Sequence, residues 1–155
     1  MNKNLFILLL FLLSCSGYCQ LQQYKFVQID SLQTIEKKNT VIFFQTDWCK
    51  FCKAMKRGTF KNQKVIEALN NNFYFIDFDA EQKEAITFDN KIFTYKNNGT
   101  SSGIHEIAVA LATENKQINF PAIVILNPKN EIIFRYNGFL SSQDLKNILE
   151  KLRVY

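Results

Sequence analysis

Cys49 and Cys52, in the stretch Thr46-Asp47-Trp48-Cys49-Lys50-Phe51-Cys52-Lys53, are the residues of this chain with the widest chemical reach. Two thiols at this spacing can ligate a soft metal, close a small covalent loop, or form and break a disulfide. A structural zinc site needs four Cys or His ligands, and the only histidine is His105. The remaining cysteines, Cys15 and Cys19, fall in an N-terminal leader described below. A disulfide stabilises more the longer the loop it closes, so a bridge across two residues contributes little as a staple. These counts favour redox exchange, with a two-thiolate site for a Cu(I)-type ion as the alternative.

Redox exchange needs one reactive thiolate and one sheltered partner, and a CxxC at the start of a helix supplies both. Cys49 falls at the first turn, where unpaired backbone N–H groups and the helix dipole favour a negative sulfur. Lys50 and Lys53 add positive charge. The Cys49 thiol is therefore expected to ionise below the free-thiol value of about 8.5, and Cys52 near or above it.

The elements around the motif must present it this way. Thr40 to Thr46 (TVIFFQT) is a continuous β-branched and aromatic run, the pattern of a strand covered on both faces, and it leads directly into Trp48-Cys49. Lys50 to Arg57 reads as a helix stopping near Gly58, and Asn62 can cap a second helix carrying Val65, Ile66 and Leu69. Asn72 to Asp79 is a second buried strand. A helix at Asp30 to Lys37 precedes these elements, with Leu32 and Ile35 at helical spacing. Downstream, Ile86 to Lys96 reads as a small hairpin about Asp89-Asn90, followed by a loop to Gly103 and an amphipathic helix from Ile104 to Thr113. Two strands, Ile118 to Asn127 and Glu131 to Tyr136, flank a turn at Pro128. Ser141 and Asp144 then form a capping box for a last helix with Leu145, Ile148, Leu149 and Leu152 inward.

The chain has 155 residues, 47% of them hydrophobic, which suits one domain with one substantial core. Its net charge of +5 is scattered, with no run of five basic residues, so a nucleic-acid partner is not expected. The first residues stand apart: Lys3, an apolar run from Leu5 to Leu13, then small polar residues, the layout of a secretory signal peptide over residues 1–19. That run is shorter than the roughly 20 apolar residues a spanning helix needs. Leu12-Leu13-Ser14-Cys15 resembles a bacterial lipobox, which implies cleavage before Cys15 and a lipid anchor there. Cleavage after Cys19 instead leaves a soluble domain over residues 20–155, and both readings stay open. Export places the protein where disulfides form.

The strand-to-helix setting of Trp48-Cys49-x-x-Cys52, with Pro121 far downstream opening the apolar run Phe120-Pro121-Ala122-Ile123-Val124, resembles the thioredoxin superfamily. The resemblance runs from about Ser31 to Leu152 and is to exported bacterial thioredoxin-like proteins, including the periplasmic reducing domains of transmembrane electron relays. It implies an α/β fold, a central mixed sheet flanked by helices, with the hairpin as an insertion. It also implies a monomeric protein-disulfide oxidoreductase without a cofactor: Cys49 as nucleophile, Cys52 as resolving thiol, Pro121 as a cis-proline presenting backbone to substrate, and Trp48 on the rim. The implied partners are disulfide-containing exported proteins and a membrane electron-relay protein as reductant, with a disulfide-forming oxidase as the alternative direction.

The chain departs from the family pattern at Phe43, where many thioredoxins carry a buried Asp that helps deprotonate the second cysteine. Water or the region of Asp79 would have to substitute. Asp47 and Asp79, at strand ends, read more readily as solvated residues than as proton acceptors. His105 reads as a surface or loop-packing residue.

Overall fold

The protein is described by a computed structural model covering residues 20–97, 99 and 102–153. The leader expected over residues 1–19, with Cys15 and Cys19, lies outside the described residues.

Four strands make the central sheet: β1 (Asn39–Gln45), β2 (Phe73–Asp79), β7 (Ala122–Leu126) and β8 (Ile132–Asn137), in the order β2-β1-β7-β8. β1 runs parallel to β2 and antiparallel to β7, and β7 pairs antiparallel with β8. This is the mixed α/β sheet expected. β1 is buried along its whole length, and its side chains alternate between two cores, as the period of two requires. Ile42 and Phe44 enter one with Tyr74, Ile76 and Phe78, while Val41 and Phe43 enter the other with Phe73, Phe75 and both active-motif cysteines.

Helix α1 (Phe26–Ile35) and the later helix α4 (Glu106–Ala112) cover the first core. Helices α2 (Lys50–Arg57), α3 (Gln63–Asn72) and α5 (Ser142–Leu152) cover the second. The caps follow local chemistry. Asn62 Oδ1 accepts from the Lys64 and Val65 N–H groups at 3.0 and 3.4 Å, and Ser141 Oγ accepts from Asp144 N–H at 3.2 Å. α2 ends at Gly58, whose N–H donates to the Ala54 carbonyl at 2.9 Å.

α1 differs from its sequence expectation. It begins four residues earlier, because Phe26 and Ile29 are 2% and 0% exposed and Phe26 packs edge-on against Phe78 and Phe88 at 5.3 and 5.1 Å. Ile35, at the end of the helix, is 82% exposed. Burial of Phe26 overrides the Asp30 cap signal; Gln28 Oε1 instead accepts from the Lys25 N–H at 2.8 Å.

The segment between β2 and α4 holds more strand than expected. β3 (Ile86–Phe88) and β4 (Lys91–Phe93) form the hairpin, with Asp89 and Asn90 at φ 52° and 58° as a two-residue turn of the primed type requires. A second ribbon pairs β5 (Tyr95–Asn97) with β6 (Gly103–His105), where the end of the hairpin, a loop and the first turn of a helix were expected. His105 is the reason α4 starts late. It is fully buried, its Nδ1 accepts from the Ile107 N–H at 3.3 Å, and its Nε2 bonds the Glu84 carbonyl at 3.0 Å, fixing the neutral tautomer with the proton on Nε2. Of the surface or loop-packing role read from sequence, the surface half is corrected: His105 is interior, caps α4 and ties the insertion to the core. β7 also starts later than expected, at Ala122, so Pro121 precedes the ladder and removes none of its hydrogen bonds.

Candidate active site

β1 ends at Gln45, and Thr46 to Trp48 turn the chain into α2 with Cys49 as its N-cap. The turn closes through Cys49 N–H to the Thr46 carbonyl at 3.2 Å. Cys49 Sγ accepts from the Cys52 N–H at 3.1 Å, taking up one of the backbone donors that a helix start leaves unpaired. The two cysteines form a disulfide, S–S 2.08 Å with Cα atoms 5.2 Å apart. Both are buried in this oxidised state, at 4% and 1% exposure, so the open nucleophile and sheltered partner expected from sequence are not distinguished by access. They are distinguished by position: Cys49 caps the helix, whereas Cys52 lies within its first turn and packs into the core beside Phe43 and Met55.

The Phe120–Pro121 peptide is cis, and Pro121 is buried. Its carbonyl accepts from the Gly138 N–H at 2.8 Å. Gly138 has φ 151°, a conformation L side chains rarely adopt, and an added Cβ would meet the Tyr136 ring at 3.2 Å. Trp48 is 65% exposed, stacks edge-on against Phe120 with centroids 6.4 Å apart, and donates its indole N–H to Glu81 Oε1 at 3.1 Å. On the other side Phe51, also 65% exposed, meets Phe139 at 6.5 Å. Two aromatic pairs thus join the motif to later parts of the chain: exposed Trp48 to half-buried Phe120, and exposed Phe51 to exposed Phe139.

The carboxylates near the strand ends do not act alike. Asp47 is exposed. Asp79 Oδ1 accepts from the Glu81 N–H at 2.9 Å, which orders the turn after β2. Asp77, not singled out from sequence, is the carboxylate whose pKa burial raises, partly offset by the ion pair of its Oδ2 with Lys56 Nζ at 3.0 Å. Phe120 was expected only for its backbone beside Pro121, not for its ring against Trp48. Glu81, Phe139 and the Lys56–Asp77 pair were missed; they meet their partners across chain separations with no periodicity or spacing to betray them.

No group of three or more His, Cys, Asp or Glu residues among the described residues is placed to hold a metal ion, and the cysteine sulfurs are bonded to each other. The arrangement can pass between disulfide and dithiol, with Cys49 at the helix start.

A family profile described as a thioredoxin-like domain matches residues 26–153, and the chain belongs to that family. Solved structures share the fold at low identity. A DsbH oxidoreductase superposes with a TM-score of 0.60 at 14% identity, over 86% of this chain and 84% of that one. A thioredoxin from Thermus thermophilus gives 0.59 at 18%, over 85% and 86%. The reduced C-terminal domain of DsbD from Neisseria meningitidis gives 0.53 at 20%, over 82% and 92%. No curated protein matches the sequence.

Proposed function

We propose that this protein is a thiol–disulfide oxidoreductase that acts on exported proteins in the reducing direction. The observation that carries the reading is the Cys49–Cys52 disulfide at the N-terminus of α2, with Cys49 as the cap and Cys52 in the core. In the dithiol form, the Cys49 thiolate attacks a substrate disulfide and forms a mixed disulfide, expelling one substrate thiolate. Cys52 loses its proton and attacks Cys49 Sγ, which expels the second substrate thiolate and restores the Cys49–Cys52 bridge. Two electrons pass from the protein dithiol to the substrate. Pro121 and Trp48 border the disulfide, where an extended substrate segment lies against the Phe120 backbone and the indole face.

The leader pattern supports export, with residues 20–155 as the mature domain, free in the periplasm or held by a lipid at Cys15. No helix among the described residues is long and apolar enough to cross a membrane. The protein works as a monomer and is re-reduced by a membrane electron-relay protein, by analogy with the DsbD domain whose fold it shares.

The test is the equilibrium reduction potential of the pair against glutathione, with alkylation to count free thiols. A value near the thioredoxin figure of about −270 mV is expected. A value near about −120 mV overturns the reducing direction and makes the protein an oxidant. Insulin reduction retained by Cys49→Ser rules out the nucleophile, and a pair that binds Cu(I) but never forms the bridge replaces the redox reading with a metal site.

A further inference from the structure

Between Asp47 and Glu67 the chain carries Lys50, Lys53, Lys56, Arg57, Lys61 and Lys64 and no acidic residue. The fold turns that tract into a surface leading away from the disulfide. On α2, Cys52 and Met55 are buried in the core, while Lys50, Lys53, Ala54 and Arg57 are exposed, the spacing of one helix face. Lys61 and Lys64 continue it, exposed in the turn after α2 and in the first turn of α3. Of these cations, only Lys56 is ion-paired among the described residues, with Asp77 at 3.0 Å. Ahead of the motif the sign reverses: Asp47 is exposed and Glu81 holds the Trp48 indole.

Folding does not call for this arrangement. Neither α2 nor α3 has an acidic residue in its first turn. Lys50 and Lys64 stand there instead, where the helix dipole disfavours a cation. Like charges three or four residues apart, as Lys50 with Lys53 and Lys53 with Arg57, repel on a helix surface. α5, which covers the same core, shows the ordinary solution: Asp144 in its first turn and a Lys146–Glu150 ion pair at 2.8 Å. A Cys49 thiolate accounts for Lys50 and Lys53. It does not account for Arg57, about 12 Å along the helix from Cys49, or for the lysines beyond it. We propose that this cationic surface docks a protein partner whose reactive cysteine is flanked by acidic residues, and so sets which disulfides reach Cys49 fastest. This rests on the redox reading above. The disulfide stands at the head of the stripe, so carboxylates drawn onto Lys53, Arg57 and Lys61 bring the adjoining sulfur to Cys49. From Lys50 to Arg57 the exposed face runs about 10 Å, the length of roughly three residues of extended chain. An anionic membrane laid along the same stripe would cover the disulfide beside it, which favours a protein.

The test is the rate at which the reduced protein reduces homodimeric peptides joined by one disulfide, each half a cysteine flanked by glutamates, by glutamines or by lysines. Acid quench, alkylation and mass spectrometry read the rates. At an ionic strength of about 0.01 M the glutamate peptide is expected to react on the order of ten- to a hundredfold faster than the glutamine peptide, and the lysine peptide slower. At about 1 M salt the rates should converge. The ratio of glutamate to glutamine rates within one protein cancels any change in the thiol itself. Combining Arg57→Gln, Lys61→Gln and Lys64→Gln is expected to lower that ratio about tenfold. Arg57→Gln alone should show part of the loss, and serves if the combined variant does not fold. Lys37→Gln, Lys129→Gln and Lys151→Gln remove the same charge from exposed sites at the opposite end of the sheet and should keep the wild-type ratio. Equal loss in both combined variants overturns the proposal, because net charge alone then explains the preference. So does binding to phosphatidylglycerol vesicles that depends on Arg57, Lys61 and Lys64 without any preference among the peptides, which makes the surface a membrane contact. If no peptide is reduced, the redox reading itself falls; if all are reduced alike, that reading stands and only the docking surface is lost.

Discussion

Asp77 makes the stability of the fold depend on pH. Burial raises its folded pKa above the ordinary carboxylate value, so the folded state holds the proton more tightly than the unfolded chain. The contribution of this group to stability is then fully present below the unfolded value and is lost as pH rises through the higher folded value. Asp77→Asn is therefore expected to lose no stability at neutral pH, and its advantage over the wild type should shrink as the pH falls through the raised folded value and be gone below the unfolded value. Thermal melts of the two proteins at neutral and acid pH check this; a lower melting temperature for the variant at neutral pH contradicts it. The rim gives a second residue-level prediction. Trp48 is the only tryptophan, and its indole is held by Glu81 and Phe120. Glu81→Ala should broaden and shift the Trp48 emission and raise KM for protein disulfides several-fold while leaving kcat nearly unchanged, because an exposed charge-assisted hydrogen bond of about 1 kcal/mol orients the rim without touching the sulfurs. The cysteine pair was legible from motif spacing, and the cis peptide at Pro121 was expected from the family resemblance. Asp77 and Glu81 were not, since each gains its meaning from a partner in another element.

His105 shows at the scale of elements how one residue can hold an insertion. It caps α4, bonds the Glu84 carbonyl, stacks on Phe78 at 5.3 Å, and donates its own N–H to the Ala80 carbonyl. His105→Ala removes a cap and leaves buried backbone groups unpaired, an expected loss of about 1–3 kcal/mol in denaturant unfolding. His105→Asn, which can still cap, should recover part of it. The same region is pH-sensitive through Glu106. Its carboxylate accepts from the Thr94 N–H and hydroxyl at 2.7 and 2.8 Å, which lowers its pKa, with Lys96 adding to the effect. That stabilisation is present above the unfolded carboxylate value and is lost as pH falls through the lower folded value. Hydrogen exchange of the β5–β6 ribbon should accordingly rise relative to β1 in acid, and Glu106→Gln should flatten the difference. Strand and helix types were readable here from period and caps. The start of α1 and the second ribbon were not, because burial of Phe26 and His105 against Phe78 decided them.

The whole molecule is a sheet with a core on each face, and the disulfide belongs to only one of them. A bridge that closes so short a loop constrains the unfolded chain weakly, by about 2 kcal/mol at most. Oxidised and reduced forms are therefore expected to unfold within a few degrees of each other, as cycling between them requires; calorimetry of both forms measures this, and a wide gap would show that the bridge holds up the fold. The sequence by itself determined the element types along most of the chain and the cysteine pair, and its family resemblance gave the fold class. The element types and the pair follow from local spacing: the apolar run of β1, the capping residues of α3 and α5, and a CxxC after a buried strand. Tertiary structure alone decided that Phe43 backs onto Asp77, that Lys56 reaches that acid, that Glu81 holds Trp48, and that the lone histidine is interior. Those contacts join residues on different elements, and no local pattern records them. They exist because strand register and helix packing bring the groups together, and burial then fixes what each one must bond to.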